Sequence, residues 1–188
     1  GVYRHHTTGA PITILFHNKN KRSGDYKDFL SMPRPGHADF TAYSKYGGYN
    51  DYRGSGHFSG RLTLGLVAAG VIAKKIIFPV FVNAKLTEAG GKQDIEQAVR
   101  DAIDMNDTIG GIIECTAENI PVGLGEPFFN PVESMISHIM FAVPAIKGIE
   151  FGSGFQAAKM TGSQNNDAII SQEGKTETNH AGGINGGI

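Results

Sequence analysis

The chain is 188 residues long, enough for one domain or two small ones and for a core that needs no covalent staples. Its formal net charge is −1 and the basic residues are spread along the chain, so binding driven by nucleic-acid phosphates is not expected. No apolar run reaches membrane-spanning length, and the single cysteine, Cys115, excludes an intrachain disulfide and fits a reducing cytoplasm.

Pro11–Asn18 alternates Ile12, Ile14 and Phe16 with Thr13, Leu15 and His17, which predicts a buried strand. Asp25–Leu30 reads as a short helical turn, and His37–Gly47 as a helix with Lys45 in its last turn. The clearest helix is Ser59–Phe78, capped by Ser59 and stopped by Pro79. Its apolar residues lie on nearly every face, so it is expected to be buried, with Gly65 and Gly70 admitting a neighbouring backbone. Val80–Gly90 reads as a strand running into a turn. Asp94–Ile103 is an amphipathic helix with Ile95, Ala98, Val99, Ala102 and Ile103 inward. Thr108–Pro121 is a strand holding Cys115 as inert core. Asn130–Pro144 reads as a helix with Asn130 as cap, Pro131 in the first turn and Glu133 completing a capping box. Ala145–Gly152 is a further strand, and Asn165–Gly174 is irregular. Helices and strands mix without a strict βαβ rhythm, so the expected class is α+β, with central helices packed between antiparallel sheets in one domain over residues 1–188.

Glycine accounts for 26 residues, roughly twice average usage, and clusters beside polar side chains. In Arg34-Pro35-Gly36-His37 the proline fixes one dihedral and the glycine permits a tight bend, which aims Arg34 and His37 in defined directions. A histidine that titrates near neutrality delivers a proton or carries charge beside an anion; the alternative is a simple turn residue. Asp39 is a candidate cap or ion-pair partner. Arg53–Arg61, RGSGHFSGR, sets a glycine-rich loop before the long helix, where free N–H groups and the two arginines favour an anion; the alternative is a flexible loop. It lacks the leading apolar strand of a dinucleotide fingerprint. Tyr43, Tyr46, Tyr49 and Tyr52 recur three apart beside it. The glycines of Asn179–Ile188 would let backbone lie flat on a planar ring. The histidines show no metal-ligand spacing, so no metal is expected.

Taken in order, the runs TTGAPI, RPGHADFT, KYGGYNDYRGSG, SGR leading into LVAAGVIAKK, GGIIEC, PVGLGEP, AIKGIEFGSGF, GSQNND and NHAGGINGGI resemble the chorismate synthase family, across the whole chain. The resemblance implies a middle portion, about half, of a usual family chain. It also implies the reaction: a 1,4-anti elimination of phosphate from 5-enolpyruvylshikimate 3-phosphate giving chorismate, with reduced FMN, in aromatic amino-acid synthesis. His37 then corresponds to the proton-donating histidine, and Arg34 and Arg61 to substrate binders. His57, Phe58, Ser59, Pro144, Ala145 and Gly186 correspond to flavin contacts. His57 and Phe58 depart from the commoner Arg-Ser of the family, and Leu62 stands where a glutamate is common. The family fold is a β-α-β sandwich with helices between antiparallel sheets, and the assembly is usually a homotetramer, with strands such as Gly110–Cys115 at its contacts. The alternative expectation is a non-catalytic folding and assembly core that does not bind FMN tightly.

Overall fold

The computed structural model describes residues 1–20 and 22–188. They form two compact units, Gly1–Gly70 with His138–Gly148, and Val71–Ser137 with Ile149–Ile188. The elements are those of an α+β, sandwich-type fold, with helices interspersed between antiparallel strand pairs. No helix of the described residues is long and apolar enough to cross a membrane.

In the first unit, β1 (Val2–Tyr3) pairs antiparallel with β2 (His6–Thr7), with Val2 opposite Thr7. A 3-10 helix spans Ser23–Leu30, at the expected helical turn, and α1 spans Asp39–Lys45 with Ala42 buried. The strand expected at residues 11–18 does not form. The segment has no ladder partner among the described residues, and Ile14, Leu15 and Phe16 remain exposed. Alternation alone cannot hold a strand whose backbone groups are unpaired.

The long helix begins with a 3-10 turn, Gly60–Leu62, and continues as α2, Thr63–Ile76. Ser59 caps it as expected, its Oγ accepting from the Arg61 amide at 3.2 Å. The expected burial is overturned: α2 has no buried residue, and Val67 and Ile76 are 65% and 76% exposed. Apart from the chain neighbours and the helix's own backbone, no atom of the described residues lies within 4 Å of where a Cβ on Gly65 or Gly70 would sit, so no other backbone approaches there. An all-round apolar surface requires a cover, and the described residues do not supply one.

In the second unit, β3 (Phe81–Ala89) pairs antiparallel with β4 (Gly111–Glu118), running from Phe81 opposite Glu118 to Ala89 opposite Gly111. The register shifts between Leu86 and Glu88, and the extra residue, Thr87, donates its hydroxyl to the Ile112 carbonyl at 3.1 Å. β3 ends in a two-residue turn, with Ala89 and Lys92 exchanging backbone hydrogen bonds of 2.9 Å. α3, Ile95–Asp104, then starts on Asp94, whose Oδ1 accepts from the Gln97 amide at 3.1 Å. Ala98 and Ala102, four apart on one face, are buried with Ala89, but Val99 and Ile103 are exposed rather than inward. β4 is exposed along its length, so Cys115 is exposed and not core.

α4 spans Val132–Met140 and starts later than expected. Asn130 exchanges two backbone hydrogen bonds of 2.9 Å with Glu126 instead of heading the helix. Glu133 makes no capping box; its Oε2 is buried without a partner. Residues 145–152 form no strand, again for want of a paired neighbour. α5 is a single turn, Gly162–Asn165, held by a Thr161–Gln164 capping box. The buried apolar side chains among the described residues are four alanines: 42, 89, 98 and 102.

Candidate active site

Arg34-Pro35-Gly36-His37 closes as a β-turn with Gly36 at φ 70° and the His37 amide donating to the Arg34 carbonyl at 3.4 Å. Proline followed by a positive-φ glycine is what a type II turn requires. His37 is exposed, and its Nδ1 lies 3.0 Å from the Pro35 carbonyl oxygen. A carbonyl only accepts, so Nδ1 carries the hydrogen and Nε2 is the nitrogen left for other chemistry.

Asp39 opens α1 and reaches back to Arg34. Its Oδ2 accepts from the Arg34 amide at 3.0 Å and from Nε at 2.9 Å, and Oδ1 accepts from Nη2 at 2.9 Å. This bidentate pairing holds the Asp39 carboxyl below its ordinary range and pushes the Arg34 guanidinium up. The guanidinium also lies over the Phe29 ring, 4.2 Å from its centroid. Nη2 further donates to Ser55 Oγ at 2.8 Å. Arg34 is therefore a fixed cation, with Nη1 making no hydrogen bond to the described residues.

The Arg53–Phe58 loop takes two short turns joined at Gly54, Ser55 and Gly56, with φ of 63°, 64° and 52°. Arg61 Nη2 donates to the Gly54 carbonyl, so Arg34 and Arg61 hold adjacent residues of this loop. Arg53, the other arginine of the loop, is committed to Asp51 by two bonds of 2.9 Å, which draws the Asp51 carboxyl down to about 2. Both partners are exposed, and such a pair contributes little to stability. The rings of His57 and Phe58 lie 4.1 Å apart with a tilt of 35°, and Tyr46 meets them at 6.0 and 6.4 Å. His57 and Phe58 belong to the loop that the two arginines hold, so the three rings form an aromatic cluster on that loop.

Pro144 and Ala145 belong to the same unit, and Ala145 has φ 71°, a left-handed conformation costly for a residue with a Cβ. Gly186 belongs to the second unit, where it lines a shallow cleft with Gly187, Phe128, Ser137 and the partnerless Glu133. Sequence reading missed Ser55, which lies unmarked in the loop, and Asp167. The Asp167 side chain is 6% exposed and accepts from Thr178 Oγ1 at 2.6 Å and from the amides of His180 and Ala181 at 2.8 Å. Those donors, the Ala181 amide first, draw its carboxyl down to about 2. The residue thereby shapes the turn that leads to Gly186. Among the described residues, no three His, Cys, Asp or Glu side chains converge as metal ligands do.

The family model described as chorismate synthase matches residues 1–188. The chain is 63% identical over its whole length to a chorismate synthase of Chitinophaga pinensis, of which it spans 57%. It is 42% identical to one of Dehalococcoides mccartyi, spanning 60% of it. A solved structure described as the crystal structure of chorismate synthase superposes with a TM-score of 0.68 at 25% identity, over 78% of this chain and 56% of that one. The chain belongs to the chorismate synthase family, and it spans a little over half the length of these relatives.

Proposed function

We propose that the full protein carrying this chain is a chorismate synthase. It eliminates phosphate and a ring hydrogen, 1,4-anti, from 5-enolpyruvylshikimate 3-phosphate to give chorismate, in the cytoplasm and as a homotetramer. The observation that carries this reading is the family match along all 188 residues. In the reaction the C–O bond to phosphate breaks and a ring C–H bond breaks, so the leaving group departs as a multiply charged anion. Fixed cations stabilise such a departure best, because they need not reorganise as charge develops. Arg34 fits: Asp39 and Ser55 hold it in place. Arg61 adds a second cation on the same loop. His37, in its cationic form, would give a proton from Nε2.

The residues present fit a flavin. Tyr46, His57 and Phe58 offer rings for a flat molecule, and the positive-φ run Gly54–Gly56 makes a tight bend in the backbone just before two of them. His57, Phe58, Ser59, Pro144 and Ala145 of the first unit are the residues proposed to hold reduced FMN; Gly186, in the second unit, is proposed by itself as a flavin contact. When bound, reduced FMN supplies electron density to the elimination and recovers it. The test is phosphate release by the full protein from the enolpyruvyl phosphate substrate, with and without reduced flavin. Release only with reduced flavin is expected, and release indifferent to flavin overturns the assignment.

A second reading is favoured by the 57% span of the relative's length: this chain is a folding and assembly core that neither binds FMN tightly nor turns over. Titrating the 188-residue chain with FMN separates the two, since tight binding rejects the second.

A further inference from the structure

We propose that Asn185–Gly186 is a site of spontaneous covalent modification, at which the asparagine side chain closes on the backbone and reopens as aspartate or isoaspartate. The bonds balance without an oxidant or reductant. The Gly186 amide nitrogen gives its proton to solvent base and bonds to Cγ of Asn185. The Cγ–Nδ2 bond then breaks, ammonia leaves with a proton from water, and a cyclic succinimide remains. Water adds to one of the two imide carbonyls, and the C–N bond that breaks decides which acid forms.

The structure concentrates the requirements here. Asn185 is exposed, and it is the chain's only asparagine followed by glycine. With no Cβ, Gly186 lets its nitrogen approach the side-chain carbon closely. Apart from its chain neighbours, no atom lies within 4 Å of where a Gly186 Cβ would sit, so this side of the turn is open. Among the described residues the Gly186 amide makes no backbone hydrogen bond, so its nitrogen is not held by a carbonyl acceptor. The Ile188 amide donates to the Asn185 carbonyl at 3.4 Å, a long bond that restrains that carbonyl only weakly. The other asparagines differ. Asn50, Asn106 and Asn166 each precede an aspartate, and Asn83 is held within β3.

The modification acts beyond its own residue. The Gly187 carbonyl accepts from the Val132 amide at 2.9 Å and docks this segment on the first turn of α4. Isoaspartate lengthens the main chain by one methylene just before that anchor and adds a negative charge. That the charge also falls beside the flavin rests on the reading of Gly186 above; the modification itself does not.

The experiment is peptide mapping by mass spectrometry of the purified protein held at mildly alkaline pH, with isoaspartate detected by enzymatic methyl transfer. Acidic forms of the peptide carrying Asn185 should accumulate ahead of those from any other asparagine. Asn185→Gln should lose this signal alone, and Gly186→Ala should lose most of it. A peptide that stays unmodified, or modification spread evenly over the asparagines, overturns the proposal. Flavin-dependent phosphate release plays no part in the readout.

Discussion

Arg34 and Ser55 stand 21 residues apart and are joined by a 2.8 Å hydrogen bond from guanidinium to hydroxyl. The same guanidinium is gripped by Asp39, so the type II turn, the start of α1 and the glycine-rich loop meet at one cation. Ser55→Ala should cost about 1 kcal/mol, an ordinary net hydrogen bond. Arg34→Lys should cost about 2 kcal/mol, because an ammonium cannot reproduce the planar fork. Chemical denaturation measures both, and two silent variants would show that this junction does not hold the loop.

His37→Ala in the full protein should lower turnover by roughly 10²–10⁴, the range for a positioned proton donor. Because the Pro35 carbonyl fixes the hydrogen on Nδ1, His37→Gln should not restore the rate: its amide donates a hydrogen bond but no proton. Steady-state kinetics under reduced-flavin conditions decide this, and an unchanged rate removes His37 from the chemistry.

Asp167 titrates at about 2 instead of its ordinary 3.8, because amides and a hydroxyl donate to the charged form. A carboxyl lowered on folding adds stability that is present above 3.8 and is lost as pH falls through about 2. Protection factors of the amides at residues 178–182, with intrinsic exchange divided out at each pH, should therefore fall over that window. Asp167→Asn should lower them already at neutral pH and remove this pH-dependent loss. A flat wild-type profile refutes the role given to this carboxylate.

Gly152 has φ 57°, and a Cβ there would run into the His180 carbonyl and the Gly182 amide. Gly152→Ala should thus destabilise the second unit by roughly 1–3 kcal/mol, through backbone strain and the loss of close approach. Loss of the 2.7 Å bond from the Ser153 amide to His180 should accompany it, read as faster exchange at Ser153.

Local signals were legible wherever local chemistry decides the outcome. The start of α3 at Asp94, the cap at Ser59, the strand at β3 and the bend at Pro35-Gly36 all follow from short-range propensity and hydrogen bonding. What depends on distant partners was not legible. Residues 11–18 and 145–152 carry strand-like patterns but pair with nothing among the described residues, which also leave the apolar faces of α2 uncovered. The bend and the loop announced themselves through proline, glycine and arginine. Ser55 and Asp167 did not, since a hydroxyl meeting an arginine 21 residues away, or a carboxylate meeting amides 13 and 14 residues on, leaves no spacing rule to read.

With four alanines as the buried apolar side chains among the described residues, this stretch of polypeptide gains little from excluding water by itself. Its melting temperature should accordingly climb with the logarithm of the concentration of whatever molecule shelters the leucines and valines of α2, without levelling off at site saturation.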